Sequence, residues 1–161
     1  MTTTAADLTR AAWEQVAARY DDYVTPTHLE IAQRGLQQIG VRPGMRLLDV
    51  AAGSGAVAIT AARLGADVLA VDLSPTMLAR LRARADAEGL AVQTRVMDGH
   101  ALDVTNDTFD VVTSQYGVML FTDPYKGIAE MVRVSSRSVP TERPSTTRSS
   151  PTRTVASRTF S

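Results

Sequence analysis

The chain has no cysteine. That absence excludes disulfides, thiolate metal sites and cysteine nucleophiles. Two histidines in 161 residues leave little for an imidazole-based metal centre, so no metal is expected. No stretch approaches the ~20 apolar residues that a membrane-spanning helix needs. Residues 1–7 carry neither the basic start nor the apolar core of a secretion signal. Excess charge is missing too, because 17 basic and 17 acidic residues cancel. The expectation is a cytoplasmic protein with no membrane segment.

The balance of charge is only an average. Residues 135–161 hold five arginines and one acid, and the preceding body holds 12 basic and 16 acidic residues. An acidic body argues against general nucleic-acid binding. The 135–161 segment is nearly all Ser, Thr, Arg and Pro without apolar periodicity, so disorder is expected there.

What is present is a pattern of alternating elements. Trp13, Val16, Ala17 and Tyr20 follow helical spacing. Leu29, Ala32, Leu36 and Ile39 form one apolar face of a second helix, with Gly40 as its stop. Together they make an N-terminal helical segment, 1–44. From Arg46 onward the chain alternates: strand 46–50, helix 56–64 closed by Gly65, strand 67–72, then a helix opened by Ser74-Pro75 and closed by Gly89. Strands at 91–97 and 109–114 follow, then a last helix opened by Asp123-Pro124, with Ile128, Met131 and Val132 facing inward. Alternation with doubly apolar central strands predicts an α/β fold: a Rossmann-like parallel sheet with helices on both faces, spanning 45–134.

Leu47-Leu48-Asp49-Val50-Ala51-Ala52-Gly53-Ser54-Gly55-Ala56 reads as a buried strand, a tight turn and a helix start. Glycine lets a ligand approach such a turn closely. In an open parallel sheet, ligands sit at the carboxyl ends of the strands. Here those ends carry Asp49 with the Gly53/Gly55 loop, then Asp72-Leu73-Ser74, then Asp98-Gly99-His100, then Ser114-Gln115. A carboxylate after a strand suits a ribose diol, which assigns Asp72 to that role. Asp98 is placed to accept an adenine amine, and Leu73 and Met77 to pack the ring faces.

These residues, in this order, resemble the class I S-adenosylmethionine-dependent methyltransferases. The nearest likeness is to the quinone-biosynthesis C-methyltransferases with a Leu-Asp-Val-Ala-x-Gly-x-Gly motif. The matching stretches are Leu48–Gly55, Val71–Leu78, Val96–Leu102, Phe109–Val112 and Glu130–Val134. The resemblance implies S-adenosylmethionine as cofactor and a small-molecule methyl acceptor. Asp49 with the Gly53/Gly55 loop would hold the methionine part. Asp98 and the backbone of Gly99-His100 would read the adenine, and backbone near Ser114-Gln115 would meet the amino group. The N-terminal helices would cover the site, with Tyr20 a lid contact. No dedicated catalytic side chain is implied, since transfer from a sulfonium needs chiefly alignment.

Two departures stand out. Ala51 occupies a position where many members have glycine, at little expected cost. After Val134 the family's glycine turn and three further strands find no match, so the expectation is a fold lacking its last strands. A truncated or frameshifted chain would produce that departure. It would also leave the fourth strand an apolar edge, and the chain aggregation-prone or able to bind cofactor without turning it over. Gly53-Ser54-Gly55-Ala56-Val57-Ala58 also fits a nicotinamide dinucleotide fingerprint. Asp49 would crowd a pyrophosphate there, and Asp98 would have no task. His100 reads as a solvated turn residue, His28 as a helix-surface residue and Trp13 as packing. Core packing is the ordinary reading of Tyr116, Met119, Leu120 and Phe121, with lining of an acceptor pocket as the alternative.

Overall fold

The computed structural model describes residues 4–23 and 25–136. Two helices, α1 (Ala5–Tyr23) and α2 (Thr25–Ile39), precede the alternating part. It runs β1 (Arg46–Val50), α3 (Ala56–Arg63), β2 (Asp67–Asp72), α4 (Pro75–Ala87), β3 (Val92–Val96), β4 (Val111–Thr113) and α5 (Pro124–Val134). A single 3-10 turn, Val118–Leu120, lies between β4 and α5. The sheet order is β3-β2-β1-β4 and every pairing is parallel.

Local chemistry explains most of the boundaries. Ser74 accepts the Met77 N–H at 3.1 Å and Pro75 follows it, a capped start for α4. Asp123 does the same for α5, accepting the Lys126 N–H at 3.0 Å ahead of Pro124. Gly40, Gly65 and Gly89 all have positive φ and end helices. After each, an N–H reaches back five residues, as Leu90 N does to Ala85 O at 2.9 Å.

The two faces of the central strands build two apolar layers. Leu47, Val68 and Ala70 pack with Leu36 of α2, Ala58 and Ala61 of α3, and Leu78 and Leu81 of α4. Leu48, Val50, Leu69 and Val71 pack with Leu102, Phe109 and Val134 on the other side. Arg133 fastens α5 to the loop after β3. Its guanidinium donates to the carbonyls of Leu102 and Val104, both at 2.8 Å, and to Glu130 and Asn106.

Several expectations are corrected. Tyr20-Asp21-Asp22-Tyr23 interrupts the helical spacing in the sequence, yet α1 runs through to Tyr23. Val16 is exposed, and so is Ile39 at the end of α2, where the chain has already turned off the core. Strand β4 is shorter than 109–114. Phe109 bridges Ser135 instead of joining the ladder, and Asp110 uses its carboxylate to take the Arg46 N–H at 2.8 Å. At the other end Ser114 turns away to cap the 3-10 turn, accepting the Val118 N–H at 3.1 Å. On α5 the inward residues are Gly127, Met131 and Val134; Ile128 and Val132 are 47% and 60% exposed. One turn of 3.6 residues carries them off the face that Gly127 and Val134 define.

The regular pattern also outlasts Val134. Ser135 pairs with Phe109, and the Ser136 N–H donates to Phe109 O at 2.7 Å. The rest of the segment expected to be disordered lies outside the described residues. Among the described residues the outer edge of β4 carries no further strand. No helix there is long and apolar enough to cross a membrane.

Candidate functional site

The carboxyl ends of the strands open onto one cleft. Ala51 and Gly53 reach it from the loop after β1, Asp72, Leu73 and Met77 from the β2–α4 junction, and Met97, Asp98, Gly99 and His100 from the end of β3. Beyond β4, Gln115, Tyr116, Gly117, Leu120 and Phe121 complete the far wall. Helix α1 contributes Thr9 and Trp13. The cleft is open to solvent at its mouth and lined mostly by apolar surface.

Asp72 is the best-oriented acid. Its Oδ2 accepts the Gly53 N–H at 2.8 Å and its Oδ1 accepts the Ser74 N–H at 2.9 Å. Burial pushes its carboxyl above the ordinary range, with the charge of Glu14 adding to the rise; the N–H groups of Ser74, Gly53 and Leu73 oppose it. Each oxygen accepts one of these N–H groups and retains capacity for another hydrogen bond. Gly53 has φ 55°, and a Cβ built on it would meet nothing within 4 Å. The loop therefore presents bare backbone to the cleft, a cradle that a side chain would fill.

Asp98 is tied to His100. The Oδ1 atom accepts the His100 N–H at 2.9 Å and lies 2.6 Å from Nδ1. Burial works against the charged form, but the His100 hydrogen bonds and the charges of His100 and Lys126 hold the carboxyl below its ordinary range. His100 Nε2 accepts the Asp123 N–H at 3.3 Å, and its Nδ1 faces Asp98. His100 is thus a brace between β3 and α5, not a solvated turn residue. Its ring lies 4.7 Å from that of Phe121.

Asp49 is elsewhere. It is 1% exposed and points from β1 beneath α3. The N-cap of α3, Gly55, has no side chain to offer, and Asp49 Oδ2 takes the Ala58 N–H instead, at 3.2 Å. Thr113 donates to its other oxygen at 3.1 Å. Burial pushes the Asp49 carboxyl up to about 7. The residue lines only a second, smaller and more polar hollow on the other side of the Ala51–Gly53 turn, with Thr25, His28, Ser54 and Gln115. His28 is therefore half-buried, with its ring 4.7 Å from Tyr116.

Gly55 and Ser114 reach neither the cleft nor the hollow. Gly55 is packing: a Cβ there would come within 2.5 Å of Leu81 Cγ, at φ 94°. Gln115 joins the two spaces. Its Nε2 donates to His28 O at 3.1 Å, while its Oε1 is buried without a hydrogen-bond partner. A buried acceptor without a partner, on a residue that borders both spaces, is a polar group left unsatisfied in the structure. Ala51 holds φ 55°, a left-handed conformation that costs an alanine roughly 1–2 kcal/mol. The substitution at this position is less innocent than its sequence context implies.

Sequence reasoning missed Trp13, Thr9 and Glu14 from α1. Trp13 lines the cleft, and Glu14 accepts from Ser74 Oγ at 2.6 Å and from Thr76. Of the four residues with packing as their ordinary reading and pocket lining as the alternative, Tyr116, Leu120 and Phe121 line the cleft, whereas Met119 is exposed. The side chain of Tyr20 lies outside the described residues.

Residues 47–137 match the family model described as a methyltransferase domain. The chain belongs to the methyltransferase-domain family. A demethylmenaquinone methyltransferase of Renibacterium salmoninarum is 36% identical over 136 residues, 80% of this chain and 54% of that protein. An uncharacterised protein of Mycobacterium tuberculosis is 39% identical over 131 residues, 80% of this chain and 48% of its own length. The chain thus spans about half the length of these curated relatives. The fold also matches the crystal structure of an S-adenosylmethionine-dependent methyltransferase from Aquifex aeolicus. The TM-score is 0.65 at 21% identity, covering 74% of this chain and 67% of that one. For this family member the likeness carries the fold.

Proposed function

We propose that the chain binds S-adenosylmethionine in the cleft and transfers its methyl group to a small-molecule acceptor. The observation that carries this reading is the convergence of the Gly53 loop, Asp72 and Asp98, from three successive strand ends, on one cavity. The bare backbone at Gly53 and the orphaned Gln115 Oε1 are what such a ligand would use.

In this reading Asp72 accepts both ribose hydroxyls, and Leu73 and Met77 flank the adenine. Asp98, already held by His100, presents its free lone pairs to the adenine amine. The ligand's amino-acid arm crosses the Ala51–Gly53 turn toward Gln115 and the polar hollow above Asp49. A sulfonium supplies an already activated methyl group. The protein's own contribution is then alignment and exclusion of water by the α1 side and the Tyr116–Phe121 wall. The acceptor approaches on the apolar side formed by Tyr116 and Leu120, and the protein works in the cytoplasm without nucleic acid.

Calorimetric titration with S-adenosylhomocysteine tests the cofactor, with NAD as the opposing ligand. Saturable binding of the first and none of the second supports the reading; the reverse outcome supports a dinucleotide oxidoreductase. A second reading is binding without turnover, favoured by the open outer edge of β4 and the exposed Ile128 and Val132. Labelled methyl transfer into a cell extract separates it from an active enzyme.

A further inference from the structure

Helix α1 is attached in an unusual way. Among its described side chains only Ala17 is buried, at 1% exposed; Leu8 and Val16 are 64% and 46% exposed. An amphipathic helix ordinarily docks through an apolar stripe. This one packs on α2 around Ala17, and its link to α4 runs through a carboxylate. Glu14 accepts from Ser74 Oγ at 2.6 Å, from the Thr76 N–H at 3.3 Å and from Thr76 Oγ1. These donors sit on the first turn of α4, where N–H groups lack intrahelical partners and favour an anion.

The consequence reaches the cleft by two routes. Trp13, next to Glu14, forms part of its wall, as does Thr9 one turn earlier. Ser74, which Glu14 grips, also donates its N–H to Asp72 at 2.9 Å. One side chain therefore connects the covering helix to the acid at the tip of β2.

We propose that Glu14 is a positioning residue: seated on Ser74 and Thr76, its carboxylate holds α1 and Trp13 across the cleft, and its release opens the cleft for ligand exchange. The inference rests on the reading of this cleft as a nucleoside site, but the latch itself is testable without ligand. Polar attachment suits a wall that must lift. Hydrogen bonds at the surface exchange readily with water, whereas a buried apolar face would have to be exposed.

Trp13 is the chain's single tryptophan, so its fluorescence reports on α1 directly. The experiment compares the wild type with Glu14→Ala, Glu14→Gln and Thr76→Val. It measures acrylamide quenching of Trp13 without ligand, and S-adenosylhomocysteine release by stopped flow. Glu14→Ala is expected to raise Trp13 accessibility and to speed release about ten-fold, the loss of one or two charge-assisted hydrogen bonds. Thr76→Val, lacking one donor, falls between, and Glu14→Gln, retaining an oxygen acceptor, recovers part of the effect. Unchanged quenching and release in a cooperatively melting Glu14→Ala overturns the proposal. Should that variant not fold, unchanged values in Thr76→Val overturn it equally. If S-adenosylhomocysteine binds none of the proteins, the nucleoside reading fails, and the quenching series alone decides the latch.

Discussion

Asp72 accepts the backbone N–H of Gly53 at 2.8 Å, which ties the tip of β2 to the turn that follows β1. The same carboxylate receives the Ser74 N–H, so its plane is fixed before any ligand arrives. Replacing Asp72 with alanine removes two acceptors from the cleft and loosens the Gly53 turn. Affinity for S-adenosylhomocysteine in calorimetry is expected to fall at least about 30-fold, the weight of two charge-assisted hydrogen bonds. An unchanged dissociation constant would remove Asp72 from the site.

Asp49 gives the fold a pH dependence of definite sign. In the unfolded chain its carboxyl titrates near 3.8, whereas burial holds it to about 7 in the folded one. Between these values the folded state keeps a proton that the unfolded state has released. Its contribution to stability is therefore greatest at low pH, declines as pH rises through that window and is level above it. The slope is at most about 1.4 kcal/mol per pH unit. Denaturant unfolding of wild type and Asp49→Asn across pH 4–8 should show the wild type losing ground until pH 7. A difference that stays flat with pH would disprove the assignment.

Phe121 sits in a slot between two glycines. A Cβ on Gly99 would come within 2.4 Å of its ring, and one on Gly127 within 2.4 Å from the other side. Gly99→Ala should destabilise by about 1–3 kcal/mol through overpacking. In Phe121→Ala the same change should cost much less, because the opposing atoms are gone. A double-mutant cycle by thermal melting measures that coupling.

The exposed side of α5 and the open edge of β4 lie beside one another in the chain's order. Tyr125, Ile128 and Val132 are 86%, 47% and 60% exposed. Light scattering should report concentration-dependent association. Ile128→Lys with Val132→Glu should reduce it while leaving the melting temperature within about 2 °C, since neither side chain is in the core. Association unaffected by both charges would point to another surface.

The parts legible in the sequence were those whose cause is local. Ser74-Pro75 and Asp123-Pro124 announce helix starts within two residues, and Gly40, Gly65 and Gly89 announce stops. Met77, Leu78, Leu81 and Ala85 mark the buried side of α4 by their spacing alone. The strand-end acids were legible because the alternation predicts which end of the sheet they share. What stayed hidden depends on partners far along the chain. Glu14 reads as a solvated helix residue until Ser74, 60 positions on, is brought beside it. Asp49 allows a buried structural acid or a ligand contact in the sequence, and only the uncapped α3 shows where its oxygen goes. His100 gives no hint of Asp123. Ile128 and Val132 carry a core-like spacing that the packing of α5 leaves outside.

The hydrogen bonds of Arg133 have a consequence for how molecules come and go. They lock α5 and the residue 102–106 loop into one body, so the side of the molecule behind Phe121 does not yield easily. The opposite flank is held instead by Glu14, through Ser74 and Thr76. On the reading of the cleft as a cofactor site, a bulky substituent is expected to be tolerated better toward Trp13 than toward Phe121.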